Sequence, residues 1–222
     1  MLLVFNANSA VVSPDDWPSK SYSVGNFRDI YLEGTFRVRL IQGNHNSLTV
    51  STSDVKAFDY LKVTNKGDLL HVHVNRKLFD FSRVTLDITF QELEMIEIEG
   101  GMKVETEGYL DLNDLSLKVE GGAQINFKTK AGDISIVSEG GALFNLSGVA
   151  ESLDVRLVGA GHVDAGQLKS KYVSFDIEGV GTGLVNATHS LNAQIKGVGK
   201  LKYRGNPKVT KIVEGLGSVK KE

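Results

Sequence analysis

The stretch Ile177-Glu178-Gly179-Val180-Gly181-Thr182-Gly183, IEGVGTG, has the glycine density of a phosphate-binding loop. Such a loop must lie between a strand and a helix, because the helix N-terminus supplies the amides that hold the phosphate. The residues that follow, LVNATHSLNAQI at 184–195, show no apolar period of 3.6. Nearly the same phrase occurs seven times: EGG at 99–101, 120–122 and 139–141, VGAG at 158–161, EGVG at 178–181, KGVG at 196–199 and EGLG at 214–217. The first glycines are Gly100, Gly121, Gly140, Gly159, Gly179, Gly197 and Gly215, spaced by 21, 19, 19, 20, 18 and 18 residues. IEGVGTG is therefore one copy of an architectural repeat.

Between the glycines, apolar and polar residues alternate with the period of a strand. One face of 153–165 is Leu153, Val155, Leu157, Gly159, Gly161, Val163 and Ala165; that of 115–127 is Leu115, Leu117, Val119, Gly121, Ala123, Ile125 and Phe127. An earlier copy runs through Ile30, Leu32, Gly34, Phe36, Val38 and Leu40. By this phase the first glycine of each copy falls on the buried face, as a corner where the backbone turns inward. A unit of about 19 residues cannot bury its apolar face alone, whereas stacking gives a continuous core. The expected fold is all-β: a single-stranded parallel β-helix, right-handed as parallel crossovers are. Its coils are spaced about 4.8 Å apart. Residues 96–222 form the regular coils and a C-terminal cap. Residues 21–95 form less regular, hairpin-like coils on the same sheet, with TSDVKAFDY at 52–60 as a loop or one helical turn. Residues 1–20 are separate. MLLVFNANSA reads as the remnant of an export signal, with an ordinary start as the alternative, and SPDDWPSK at 13–20 reads as a linker.

Composition narrows the function. With 41% hydrophobic and 23% charged residues, a chain of 222 residues can bury a substantial core. A net charge of −2 gives no reason to expect a nucleic-acid partner. No apolar run is long enough for a transmembrane segment. The absence of cysteine excludes disulfides, thiolate metal ligands, a cysteine nucleophile and lipid attachment through cysteine.

The segment Phe27-Arg28-Asp29-Ile30-Tyr31-Leu32-Glu33-Gly34-Thr35-Phe36-Arg37-Val38, followed by Gln42-Gly43 and by the EGG and GVG repeats, resembles the bacterial family described as "putative auto-transporter adhesin, head GIN domain". The resemblance spans roughly residues 24 to 215. It implies a β-helix exported to the envelope of a Gram-negative bacterium: periplasmic, outer-membrane-associated or at the cell surface. It carries over no catalytic residue and no cofactor.

Two outward columns are candidate sites. The residues before the corners include Glu99, Glu120 and Glu139, which in-register stacking would bring about 5 Å apart. Such an acidic ladder could hold a divalent cation or a basic partner. The competing reading is a solvated face relieved by Lys118 and Arg156, and that reading is preferred. The residues after the corners run from Gly101, Gly122 and Gly141 to Ala160, Val180, Val198 and Leu216. This apolar strip is the expected contact surface, for a homo-oligomer or for a cell-surface glycan or protein partner. The alternative is cover by the chain's own loop or terminus.

Other residues give weaker signals. His71 and His73 lie two apart on a strand and point the same way, but no third ligand is near in sequence, so they read as one exposed face and no metal site is assigned. His45, His162 and His189 are solitary. Asp111 and Asp114 read as the end of a coil. No GxSxG elbow is present. Residues 92–120 hold nine acids and two bases, and residues 196–222 eight bases and two acids, an asymmetry suited to steering assembly or to solubility. The expected function is non-enzymatic surface contact, adhesin-like or glycan-binding. The alternatives are a polysaccharide lyase or hydrolase on the same fold, and a self-assembling structural scaffold.

Overall fold

The computed structural model describes residues 17–74 and 83–222. The expected signal remnant MLLVFNANSA and the first residues of the expected linker at 13–20 lie outside them, and Ser19 and Lys20 of that linker open the first strand. The described chain is all-β apart from one helical turn, α1 (Ala57–Tyr60), inside the 52–60 stretch.

The irregular part is built on β2 (Asp29–Gln42). The first half of β2 pairs in parallel with β5 (Leu69–Val74), and the second half with β6 (Val84–Phe90). Antiparallel hairpin partners extend both: β4 (Leu61–Lys66) on β5, and β3 (Ser47–Thr52) on β6, with β1 (Ser19–Tyr22) on β3. The β4–β5 turn is tight because Gly67 takes a left-handed φ of 56° and the Asn65 amide donates to the Gly67 carbonyl at 3.2 Å.

On its other edge β2 pairs in parallel with β7 (Met95–Glu107), glycine against glycine: Gly34 is in register with Gly100. β7 pairs with β9 (Leu115–Arg204) at an offset of 21 residues, and β9 with β10 (Lys208–Lys221) at an offset of 18. The short β8 (Leu110–Asp111) pairs with β9 at an offset of 19. β9 is 90 residues of unbroken strand, about 300 Å if straight. It is not straight. A Cβ placed on Gly159 would lie 2.8 Å from the carbonyl oxygen of Gly140, 19 residues earlier. The chain thus returns to its own backbone once per repeat.

The alternation puts its apolar set inside. Leu117, Val119, Ile125, Ile136, Phe144, Val155, Val163, Phe175 and Ile195 are all buried in one core. Core volume is matched across the interior. The slot two residues past each corner shrinks along the stack from Phe36 through Met102 and Ala123 to Gly199 and Gly217. Elsewhere the large side chains fill what the small ones leave. A Cβ on Gly183 would meet Phe175 Cζ at 2.6 Å.

The first glycines of the repeat differ from the expectation. They do not face the core, and Gly121, Gly140, Gly159 and Gly215 are exposed. Their φ angles lie in the region that favours glycine, for example +113° at Gly121 and +107° at Gly159. The missing Cβ would point along the stack into the preceding repeat; on Gly121 it would lie 2.6 Å from the Gly100 carbonyl oxygen. In the copies with one residue between the glycines, the second glycine takes the inward slot. A Cβ on Gly181 or Gly199 would press on Ile177 or Ile195 at 3.0 and 2.8 Å. Strict alternation fails at the first glycine because positive φ rotates the backbone there, and it resumes two residues later.

Candidate functional site

The sequence LLHVHV of β5 buries Leu70 and Val72 and turns His71 and His73 to the opposite face. β2 does the same with Ile30 and Leu32 inside and Tyr31 and Glu33 outside. Parallel pairing sets Tyr31 beside His71 and Glu33 beside His73. Three rings then stack in a row: Tyr31 on His71 at 4.7 Å and 12°, and His71 on His73 at 4.6 Å and 27°. The His71 Nε2 lies 2.5 Å from the Glu33 Oε2. One donor atom each from Glu33, His71 and His73 falls within 4.8 Å of the others. The Nδ1 of His73 is buried and has no hydrogen-bond partner among the described residues. Leaving such an atom unsatisfied costs on the order of 1–3 kcal/mol. On the far side, Lys62 and Thr64 of β4 are in register with His73 and His71.

Two imidazoles and a carboxylate form a donor set suited to a borderline divalent ion. The third donor was not legible in the sequence. Glu33 lies 38 residues before His71, and only the β2–β5 register joins them. The available signal was Glu33's place before a corner glycine, shared with seven other acids or their substitutes. The histidine pair is half-buried, not an open face.

Glu33 also begins the acidic column. It is in register with Glu99, and Glu99 with Glu120. Gly140 follows Gly121 in the stack, so Glu139 continues the row. The neighbours divide this charge. The Tyr31 hydroxyl donates to Glu99 Oε2 at 2.7 Å. Lys118 Nζ lies 2.6 Å from Glu97 and 3.1 Å from Glu120. Hydrogen bonds to Glu97 first, and to Glu120 next, hold the Lys118 ammonium above its ordinary range. The Tyr31 phenol is pushed up by burial and then by its bond to Glu99. Arg156 pairs with Glu178 at 3.5 Å.

The strip after the corners lies at the surface: Ala160 is exposed, and Val180, Val198 and Leu216 are 59%, 49% and 78% exposed. Val198 and Leu216 are in direct register. On another face a polar cleft of about 510 Å³ is lined by Glu105, Asn126, Asn145, Ser147, Asp164 and Gln167, among others. Inside it the Asn145 amide donates to Asn126, and the Asn126 amide to Glu105, at 2.7 and 3.2 Å. The remaining candidates scatter. His162 Nδ1 is 2.6 Å from Thr182 Oγ1, His45 bonds Asn44, and His189 packs edge-on against Tyr172. Asp111 pairs with Lys130, and Asp114 accepts the backbone N–H of Asp133. Among the described residues no helix is long and apolar enough to cross a membrane.

Comparison with known proteins agrees with this architecture. A crystal structure of a putative adhesin from Bacteroides fragilis NCTC 9343 is 22% identical, with a TM-score of 0.82 over 95% of this chain and 100% of its own. A putative adhesin from Parabacteroides merdae ATCC 43184 is 18% identical, with a TM-score of 0.68 over 93% and 96%. A structure from Parabacteroides distasonis ATCC 8503, described as a putative lipid binding protein, is 18% identical with a TM-score of 0.65 over 92% and 96%. At these identities the likeness concerns the fold. No curated protein shows a significant sequence match. A family model matches residues 26–207, and the chain belongs to the family described as "Putative auto-transporter adhesin, head GIN domain".

Proposed function

We propose that the chain is an exported, right-handed, single-stranded parallel β-helix that works by surface contact, with its regular coils in 96–222 and its hairpin coils in 21–95. The role is adhesin-like, the place is the cell envelope, and the chemistry is non-enzymatic. The observation that carries this reading is the run Val180, Val198, Leu216. These large apolar side chains are repeated at one position of successive repeats and are left 49–78% exposed. Isolated exposed apolar residues are ordinary, but a row at a fixed repeat position is a surface suited to a partner. Family membership supports the adhesin-like role.

The polar cleft favours one form of this reading, glycan contact. Its amides, hydroxyls and carboxylates offer both donors and acceptors to sugar hydroxyls.

Light scattering with and without a panel of polysaccharides tests the reading. Contact through the strip predicts association that Val198→Glu combined with Leu216→Glu reduces. A glycan role predicts a mass shift with one polysaccharide class, weakened by Asn126→Ala and Asn145→Ala together. A monomer indifferent to every polysaccharide and to the strip substitutions would remove the reading.

A further inference from the structure

We propose that Glu33, His71 and His73 form a binding site for one divalent first-row transition ion of the Zn²⁺ type. Three observations converge on it. The donors come from two adjacent strands whose register is fixed by buried neighbours: Leu32 is paired with Val72, and both are in the core. The site therefore rests on rigid sheet. The two imidazoles are stacked at 4.6 Å and 27° from parallel, and one ring nitrogen of each lies within 4.8 Å of the other and of a Glu33 carboxylate oxygen. Finally, the His73 Nδ1 is buried without a partner among the described residues, and ligation through this nitrogen would remove the deficit.

The distances fit an ion after small rotations. Tetrahedral zinc with bonds of about 2.0–2.1 Å sets its donors roughly 3.3 Å apart. The His71–Glu33 pair at 2.5 Å must open slightly, and the widest separation, 4.8 Å, must close. Both are side-chain movements on a fixed backbone. The surroundings also suit a cation. Glu33 and Glu99 are in register, and positive charge at Glu33 relieves their repulsion. Tyr31 braces the site by stacking on His71 while donating to Glu99. Lys62, in register with His73, opposes the ion, but its side chain is exposed and screened. Three protein ligands leave a fourth position for water or for a donor from a partner molecule. The site is independent of the apolar strip, so either assignment can fail alone.

The test is calorimetric titration of the whole chain with Zn²⁺ after removal of metals by a chelator. One equivalent is expected, with a rise in melting temperature that the chelator reverses. Glu33→Gln, His71→Gln and His73→Gln are each expected to weaken binding by roughly tenfold or more. His162→Gln and His189→Gln should bind as the unaltered chain does. Titration of the unaltered chain with Co²⁺, read by the visible absorption of a tetrahedral ion, gives an answer even if a variant folds poorly. Absence of stoichiometric Zn²⁺ binding, or binding retained in all three variants, would overturn the assignment.

Discussion

Gly121 and Gly122 are neighbours with opposite requirements. Gly121 has φ +113°, and a Cβ there would meet the Gly100 carbonyl oxygen at 2.6 Å. Strain of that backbone costs about 1–3 kcal/mol, before the stack moves aside. Gly122 has no positive φ, and a Cβ would sit 3.7 Å from the Gly141 oxygen. The repeat itself accepts larger residues at that position, as Ala160, Val180, Val198 and Leu216 show. Gly121→Ala should therefore cost about 3 kcal/mol or more, and Gly122→Ala should change stability by less than about 1 kcal/mol. Urea midpoints of the two variants decide it, and equal losses would refute this account of the column.

Within a single element, the outward face of β9 carries a titration that the inward face does not. The Asp176 carboxyl is pushed up from its ordinary 3.8, first by burial and then by Asp154, with Arg156 acting against them. A carboxyl raised in the folded state supports folding most when protonated. That support is full below about pH 4 and is lost as the pH rises through the folded value. Asp176→Asn abolishes this dependence. The variant should gain stability relative to the original chain between pH 3 and pH 7, by thermal melting at both. A difference independent of pH would show that Asp176 is not destabilised in the fold. The same element shows why the expected corners are not breaks: β9 stays hydrogen-bonded through five of them.

At the scale of the molecule, the sheet ends on β10. An exposed strand edge invites another strand, and inward-pointing charge is one defence. Lys211 provides it. It is in register with the core residue Ala193, yet its ammonium reaches across to the Val219 carbonyl at 3.3 Å. Lys211→Val should replace this guard with apolar surface and produce concentration-dependent, open-ended association in sedimentation velocity. An unchanged profile would mean that other features of β10, including Lys208, Lys220 and Lys221, keep the edge apart. β10 is exposed along most of its length, so its amides should exchange hydrogen faster than those of β9 near Phe175.

The repeat spacing, the strand period and the inward aliphatics are local properties, and each could be read along the chain. Their combination fixes an all-β stack, because a unit of about 19 residues has no other way to bury its apolar face. The family was legible for a related reason: its motifs are the repeats and the opening segment of β2, which are contiguous. What the spacing alone left open was the reason for each glycine. Alternation assigns Gly100, Gly121 and their successors to the core, and only the backbone angles show that they are needed for close approach between repeats. The hairpin order of residues 21–95 also needed the structure, since the pairing of β2 with β5 and β6 skips intervening strands. The same pairing assembles Glu33 with His71 and His73. Sequence periodicity reports which way a side chain points, but not which strand lies beside it, and a donor set spread over two strands exists only once register is fixed.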